Sequence, residues 1–131
     1  MVARTFLSFR SEDEFKVWAL RNLAEFENVD FEMDDVSLRK AIDSRDETYV
    51  KSVIRPKIQQ CRYCLCLVGE STHKSRKWIP WEIGVAQEEG KTILAMRFKD
   101  TPNAETPAIL KTLGITPFDW DLAALDRKLK T

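Results

Sequence analysis

The chain has 131 residues and a mass of 15.2 kDa, with 44% hydrophobic and 10% aromatic residues; that is one domain able to bury its own core, which excludes disorder. Its 21 basic and 21 acidic residues cancel, so nothing recommends a grip on a nucleic-acid backbone. The longest wholly apolar stretch, Cys64 to Val68, is too short to span a bilayer, and Arg4 and Arg10 enclose no apolar signal core. The expectation is a single cytoplasmic domain over residues 1–131, with neither membrane nor nucleic acid as partner.

In chain order, Arg4–Phe9 reads as a first strand. Ser11 precedes Glu14 at the spacing of a capping box, which predicts a helix starting there. Phe15, Trp18, Leu23 and Phe26, with Ala19 and Leu20, fall at helical spacing and should cover the sheet. Val29–Met33 reads as a second strand, ending at Asp34-Asp35. Residues 36 to 47 are polar and without period, as in a long exposed loop. A second helix should begin near Thr48 and bury Val50, Val53, Ile54 and Ile58, with Pro56 kinking or interrupting it near Arg55. Tyr63–Val68 is the most continuously apolar segment, as expected of a central parallel strand covered on both faces.

Gly69 ends that strand and opens a polar, basic loop to Lys77. Pro80 suits the first position of a helix running through Trp81 to Glu89 and stopping at Gly90. Thr92–Phe98 reads as the fourth strand, Ala108–Leu113 as a short helix, Ile115–Phe118 as an edge strand and Leu122–Leu129 as a closing helix. Strands alternating with helices predict a flavodoxin-like α/β fold, an open, mostly parallel sheet with helices on both faces.

Several chemistries can be set aside. Cys61, Cys64 and Cys66 are an odd set and no disulfide framework. Their C-x-x-C spacing runs into a strand rather than a helix start, and a lone His73 leaves too few ligands for zinc. They read as buried strand cysteines, with no metal site expected. The four glycines are too scattered for a phosphate-cradling loop. A phosphoacceptor receiver fails on position, because its acidic pair would follow the first strand and Asp34-Asp35 follows the second. No nucleophile elbow accompanies His73 for a hydrolase triad.

The remaining polar residues should gather outside the carboxyl ends of the strands, where doubly wound sheets bind ligands. Phe6-Leu-Ser-Phe-Arg-Ser-Glu-Asp13, Asp35-Val-Ser-Leu38, Cys64-Leu-Cys-Leu-Val-Gly69 and Ser75-Arg-Lys-Trp-Ile-Pro-Trp-Glu-Ile83 together resemble the TIR-like domains of bacterial defence. The likeness is to the small TIR-like proteins of Thoeris antiphage systems, and runs from about Arg4 to Phe98. Trp78 and Glu82, at a W-x-x-x-E spacing within this strand–helix order, are jointly its most specific part. Pro80 and Trp81 depart from the more polar residues expected before the glutamate, which bears on the pocket's shape.

The resemblance implies an enzyme that cleaves NAD at the nicotinamide–ribose bond and makes a linear or cyclic ADP-ribose-type signal. It implies Glu82 as the catalytic carboxylate and Phe9, Arg10, Asp35 and Ser37 as substrate-binding residues. NAD would be substrate, with no separate cofactor. Implied partners are a separate effector sensing the product, and self-association or a phage-derived trigger for activation. The alternative is a non-catalytic TIR-like module acting through homotypic contacts. Each residue also has an ordinary reading. Glu82 could be a dipole-complementary surface residue in a first helical turn, Trp78 and Phe9 core, Arg10 the partner of Glu12 or Asp13, and Asp35 a turn starter with Ser37 beside it. His73, Lys74, Arg76 and Lys77 could be a solvated loop, or a basic rim that attracts an anionic dinucleotide.

Overall fold

The computed structural model describes residues 3–22, 29–33 and 47–130. Four strands form one sheet: β1 Ala3–Ser8, β2 Val29–Met33, β3 Tyr63–Val68 and β4 Thr92–Arg97. Their order is β2-β1-β3-β4 and every neighbouring pair is parallel. The helices are α1 Glu14–Arg21, α2 Glu47–Gln59, α3 Trp78–Glu88, α4 Ala108–Thr112 and α5 Leu122–Lys128. Short 3-10 turns at Ser11–Asp13 and Thr72–Lys74 follow β1 and β3. This is the open flavodoxin-like α/β architecture that the alternating pattern predicts.

Side chains of a strand alternate between faces, and the core divides accordingly. Leu7, Phe31, Leu65, Leu67 and Met96 pack with Val17 and Leu20 of α1 and with Leu125 of α5. On the other face, Phe6 and Cys64 pack with Val50, Ile54 and Ile58 of α2, while Cys66, Val68 and Ala95 pack with Ile79 and Ile83 of α3. All six residues of β3 are buried, as a strand covered on both faces requires. Cys61, Cys64 and Cys66 are free and buried. Among the described residues, no helix is long and apolar enough to cross a membrane.

The structure corrects several local expectations. Phe15 is 86% exposed and Trp18 47% exposed, whereas Val17 and Leu20 are buried. The 3-10 turn before α1 sets the helix phase: Asp13, Val17 and Leu20, at i, i+4 and i+7, form the inward stripe. Leu23 and Phe26 lie outside the described residues. Ser11 does not cap this helix; it opens the 3-10 turn, and neither N-cap side chain makes a capping bond. Pro56 does not interrupt α2, which continues to Gln59. It stands in the last turn, where the helix ends within four residues of the donor it removes, and its carbonyl accepts from the Gln60 N–H at 3.1 Å.

Nor does Pro80 begin α3. The helix starts at Trp78, with the Ile79 N–H donating to Ser75 Oγ at 3.3 Å, and Pro80 is third, still in the turn whose N–H groups lack intrahelical acceptors. Gly90 follows the end of α3 with φ 71°, the left-handed conformation that suits glycine at a helix stop. The edge strand at Ile115–Phe118 reduces to one parallel bridge between Phe118 and Met96. Pro117 has no N–H with which to lengthen that ladder. The long loop is outside the described residues except for Glu47, which is already helical.

Candidate active site at the carboxyl edge of the sheet

The first strand ends at Ser8 and the chain then turns across the carboxyl edge. Phe9 is buried in the core with its neighbours Leu7 and Leu67. Arg10 is half-buried; its guanidinium donates to the Ser71 carbonyl at 3.3 Å and pairs with Glu12 at 3.4 Å. That arginine therefore ties the segment after β1 to the turn after β3. The turn is fixed from within by the buried Thr72, whose Oγ1 accepts the Gly69 N–H at 2.7 Å.

Glu82 comes to the same place from α3. It is 1% exposed, and Ser8, fully buried, donates its hydroxyl to Glu82 Oε1 at 2.8 Å. Ser8 lies beside Cys66 in the β1–β3 register. Burial pushes the thiols of both Cys66 and Cys64 upward, and the charge of Glu82 adds to that shift. Because α3 begins at Trp78, Glu82 is its fifth residue, not a first-turn residue. The dipole fades beyond the first turn, whereas the Ser8 hydroxyl is in direct polar contact with this carboxylate. Trp78 sits one turn before Glu82 and packs edge-on against Trp81, with ring centroids 6.3 Å apart.

A pocket of about 320 Å³ opens at the end of β1 and the start of α3. Among the described residues Phe9, Arg10, Ser11, Lys74, Ser75, Arg76, Lys77, Trp78 and Ile79 line it, four cations and no acid. Lys74 and Arg76 make no ion pair among the described residues, while Lys77 reaches Glu47 at 3.2 Å. The carboxyl of Glu47 is held below its ordinary value by Lys51 and Lys77. Glu82 is not itself a lining residue; Trp78 and Ile79 of its helix and Phe9, next to its partner Ser8, are. Of the residues predicted for the site, Glu82, Phe9 and Arg10 meet at the end of β1. Asp35 and Ser37 lie outside the described residues.

Sequence reading missed two participants. Ser8 was taken as a strand residue, although a serine amid Phe6, Leu7 and Phe9 is the polar exception that marks a buried partner. Asp13 was taken as a possible partner for Arg10, yet it is 7% exposed and presses on Gly69. A Cβ at position 69 would come within 2.5 Å of Asp13 Oδ2, so any other residue there would force that carboxylate to shift. A second, mainly apolar cavity of about 700 Å³ lies on the α1 side. Phe15, Ala19, Leu20, Phe98, Trp120 and Leu122 line it, with Lys16, Lys99 and Asp100.

With this geometry in hand, the matches to known proteins can be read. The family described as Thoeris protein ThsB, TIR-like domain, matches residues 6–103. That stretch is most of the chain and contains Ser8, Phe9, Arg10 and Glu82. The chain belongs to this TIR-like family. No curated protein sequence matches it. Among solved structures, the CMP N-glycosidase BcmB of Clostridium botulinum is similar, with a TM-score of 0.55 and 16% sequence identity over 97% of this chain and 98% of that one. At that identity the likeness is one of fold. It extends over the whole TIR-like domain, including the β4-to-α5 region past the family match.

Proposed function

We propose that this TIR-like domain is an enzyme that cleaves the nicotinamide–ribose bond of NAD, with Glu82 as its catalytic carboxylate. The observation that carries the reading is a buried carboxylate, bonded to a hydroxyl at the end of β1, on the helix whose first residues, Trp78 and Ile79, line a pocket with four cations and, among the described residues, no acid. The cations suit the pyrophosphate of a dinucleotide, with Arg10 the best anchored of them. The carboxylate suits the ribose. The bond between ribose C1′ and the pyridinium nitrogen breaks with its electron pair going to nitrogen, so nicotinamide leaves neutral and needs no general acid. Positive charge develops on C1′ and the ring oxygen, opposite the carboxylate. A fixed charge in a water-poor setting is worth more there than in solvent. Water then adds at C1′ and releases one proton, giving ADP-ribose; attack by a group of the same molecule gives a cyclic product.

The similar CMP N-glycosidase is named for cleavage of another base–ribose bond, which supports this reaction class on this fold. Family membership supports a role in antiphage defence, with the product read by a separate effector and activity switched on by self-association or a phage-derived trigger. A second reading, a non-catalytic module working through homotypic contacts, draws on the exposed Phe15 and Trp18 of α1. The experiment is nicotinamide release from NAD by wild type and Glu82→Gln, under one activating condition, with CMP as an alternative substrate and thermal melts alongside. The expected loss is about a hundred- to a thousand-fold in turnover with an unchanged fold. Equal rates from equally folded proteins would give the case to the interaction module.

A further inference from the structure

We infer that Ser8 is a positioning residue for Glu82, fixing the rotamer of the carboxylate and favouring its charged form. The inference rests on Glu82 being the reacting carboxylate. Ser8 is fully buried on a strand whose neighbouring positions are Leu7 and Phe9. A hydroxyl buried there is unfavourable unless it is bonded, and its one proton goes to Glu82 Oε1 at 2.8 Å, a separation of 74 residues in the chain. That bond stitches the end of β1 to the middle of α3.

Two thiols share this part of the sheet. Cys66 lies beside Ser8 in the β1–β3 register, and burial keeps both it and Cys64 protonated and therefore uncharged. The apolar clusters against α3 include Ile93 and Ala95 from β4, Ile54 from α2 and Leu110 from α4. A hydrogen bond to an ionised acceptor is stronger than one between neutral groups. Removing it should make the carboxylate easier to protonate and freer to turn, and both changes weaken its action on a developing positive charge.

The test uses wild type, Ser8→Ala, Ser8→Thr and Glu82→Gln, each checked by thermal melt. Carbon-13 NMR titration of the side-chain carboxyls, with the Glu82 resonance assigned by its loss in Glu82→Gln, needs no substrate. Ser8→Ala should raise the Glu82 titration midpoint by about one unit or more. The pH profile of nicotinamide release should move in the alkaline direction with it. Turnover at neutral pH should fall roughly ten- to a hundred-fold with KM little changed, and Ser8→Thr, which keeps the hydroxyl, should recover most of it. If the threonine variant fails to fold, the alanine titration alone decides. Identical Glu82 midpoints in wild type and Ser8→Ala overturn the inference, as does faster basal release from Ser8→Ala, which would make the bond a restraint. A midpoint that moves in a protein releasing no nicotinamide at all upholds the Ser8–Glu82 coupling and overturns the NAD reading instead.

Discussion

Among the described residues two carboxylates are buried at the carboxyl edge of the sheet, and the fold treats them differently. Glu82 receives a 2.8 Å hydrogen bond from a hydroxyl that has no other evident reason to be in a strand. Asp13 relies instead on the Lys16 ammonium, 3.6 Å from its Oδ1. That ammonium is itself shared with Asp100 at 3.0 Å and lies 4.8 Å from the centre of the Phe98 ring. Burial pushes the Asp13 carboxyl above its ordinary value of 3.8, and Lys16 only partly opposes this. The first carboxylate has a hydroxyl donor on a neighbouring strand; the second shares an ammonium with another acid. The contrast separates a carboxylate placed for chemistry from one that is carried inward by the phase of its helix.

That contrast depends on α1 facing the sheet through Asp13, Val17 and Leu20, and truncation across the helix gives the largest expected effects. Leu20→Ala should destabilise the domain by about 2–5 kcal/mol. Phe15→Ala, despite removing a larger side chain, should stay within about 0.5 kcal/mol. Chemical denaturation of both variants checks this. The reverse ranking would mean that Asp13 does not lie on the buried stripe.

Next in size is the contact between Asp13 and Gly69. A methyl group at position 69 meets a carboxylate that is itself hemmed in, so Gly69→Ala should cost about 1–3 kcal/mol, the range for overpacking. In an Asp13→Ala background most of that cost should vanish, and the double-mutant cycle measures the difference. Additive effects would show that Gly69 is required for some reason other than Asp13.

How much of this was legible beforehand differs between the two carboxylates for a physical reason. Glu82 is marked by local spacing: Trp78 four residues earlier on one helix, a strand before it and a glycine stop after it. The alternation of strands and helices and the central place of β3 were equally plain, because a six-residue apolar run bounded by Cys61-Arg62 and Gly69 has few other readings. The partnership of Ser8 with Glu82 spans 74 residues, and no periodicity in either segment encodes it. The α1 face was misread because size was taken for burial: Phe15 and Trp18 outweigh Val17, but a three-residue 3-10 turn decided the phase. Such a turn leaves no composition signature. Pro56 was overweighted in the same way, since proline's effect depends on the number of turns that follow it.

The smallest effect is the most discriminating between the two sites, because it asks whether the Asp13 charge is unwelcome. A carboxyl whose value is raised on folding binds its proton more tightly in the native state than in the unfolded chain. Its contribution to stability is therefore fully present below the unfolded value of 3.8 and is lost as pH rises through the folded-state value. At neutral pH wild type folds with a desolvated charge, and Asp13→Asn folds without one. The stability of Asp13→Asn relative to wild type should thus be most favourable at neutral pH and should decline steadily as pH falls toward 3.8. The whole change should be at most about 1 kcal/mol, or a few degrees in Tm, since Lys16 recovers part of the desolvation cost through the ion pair that asparagine loses. Any constant offset from the lost ion pair shifts the curve without changing its slope. Melting curves of both proteins across this pH range provide the measurement. A relative stability that rises as the solution is acidified would mean that Asp13 sits where the fold favours its charge, and the distinction between the two carboxylates would have to be given up.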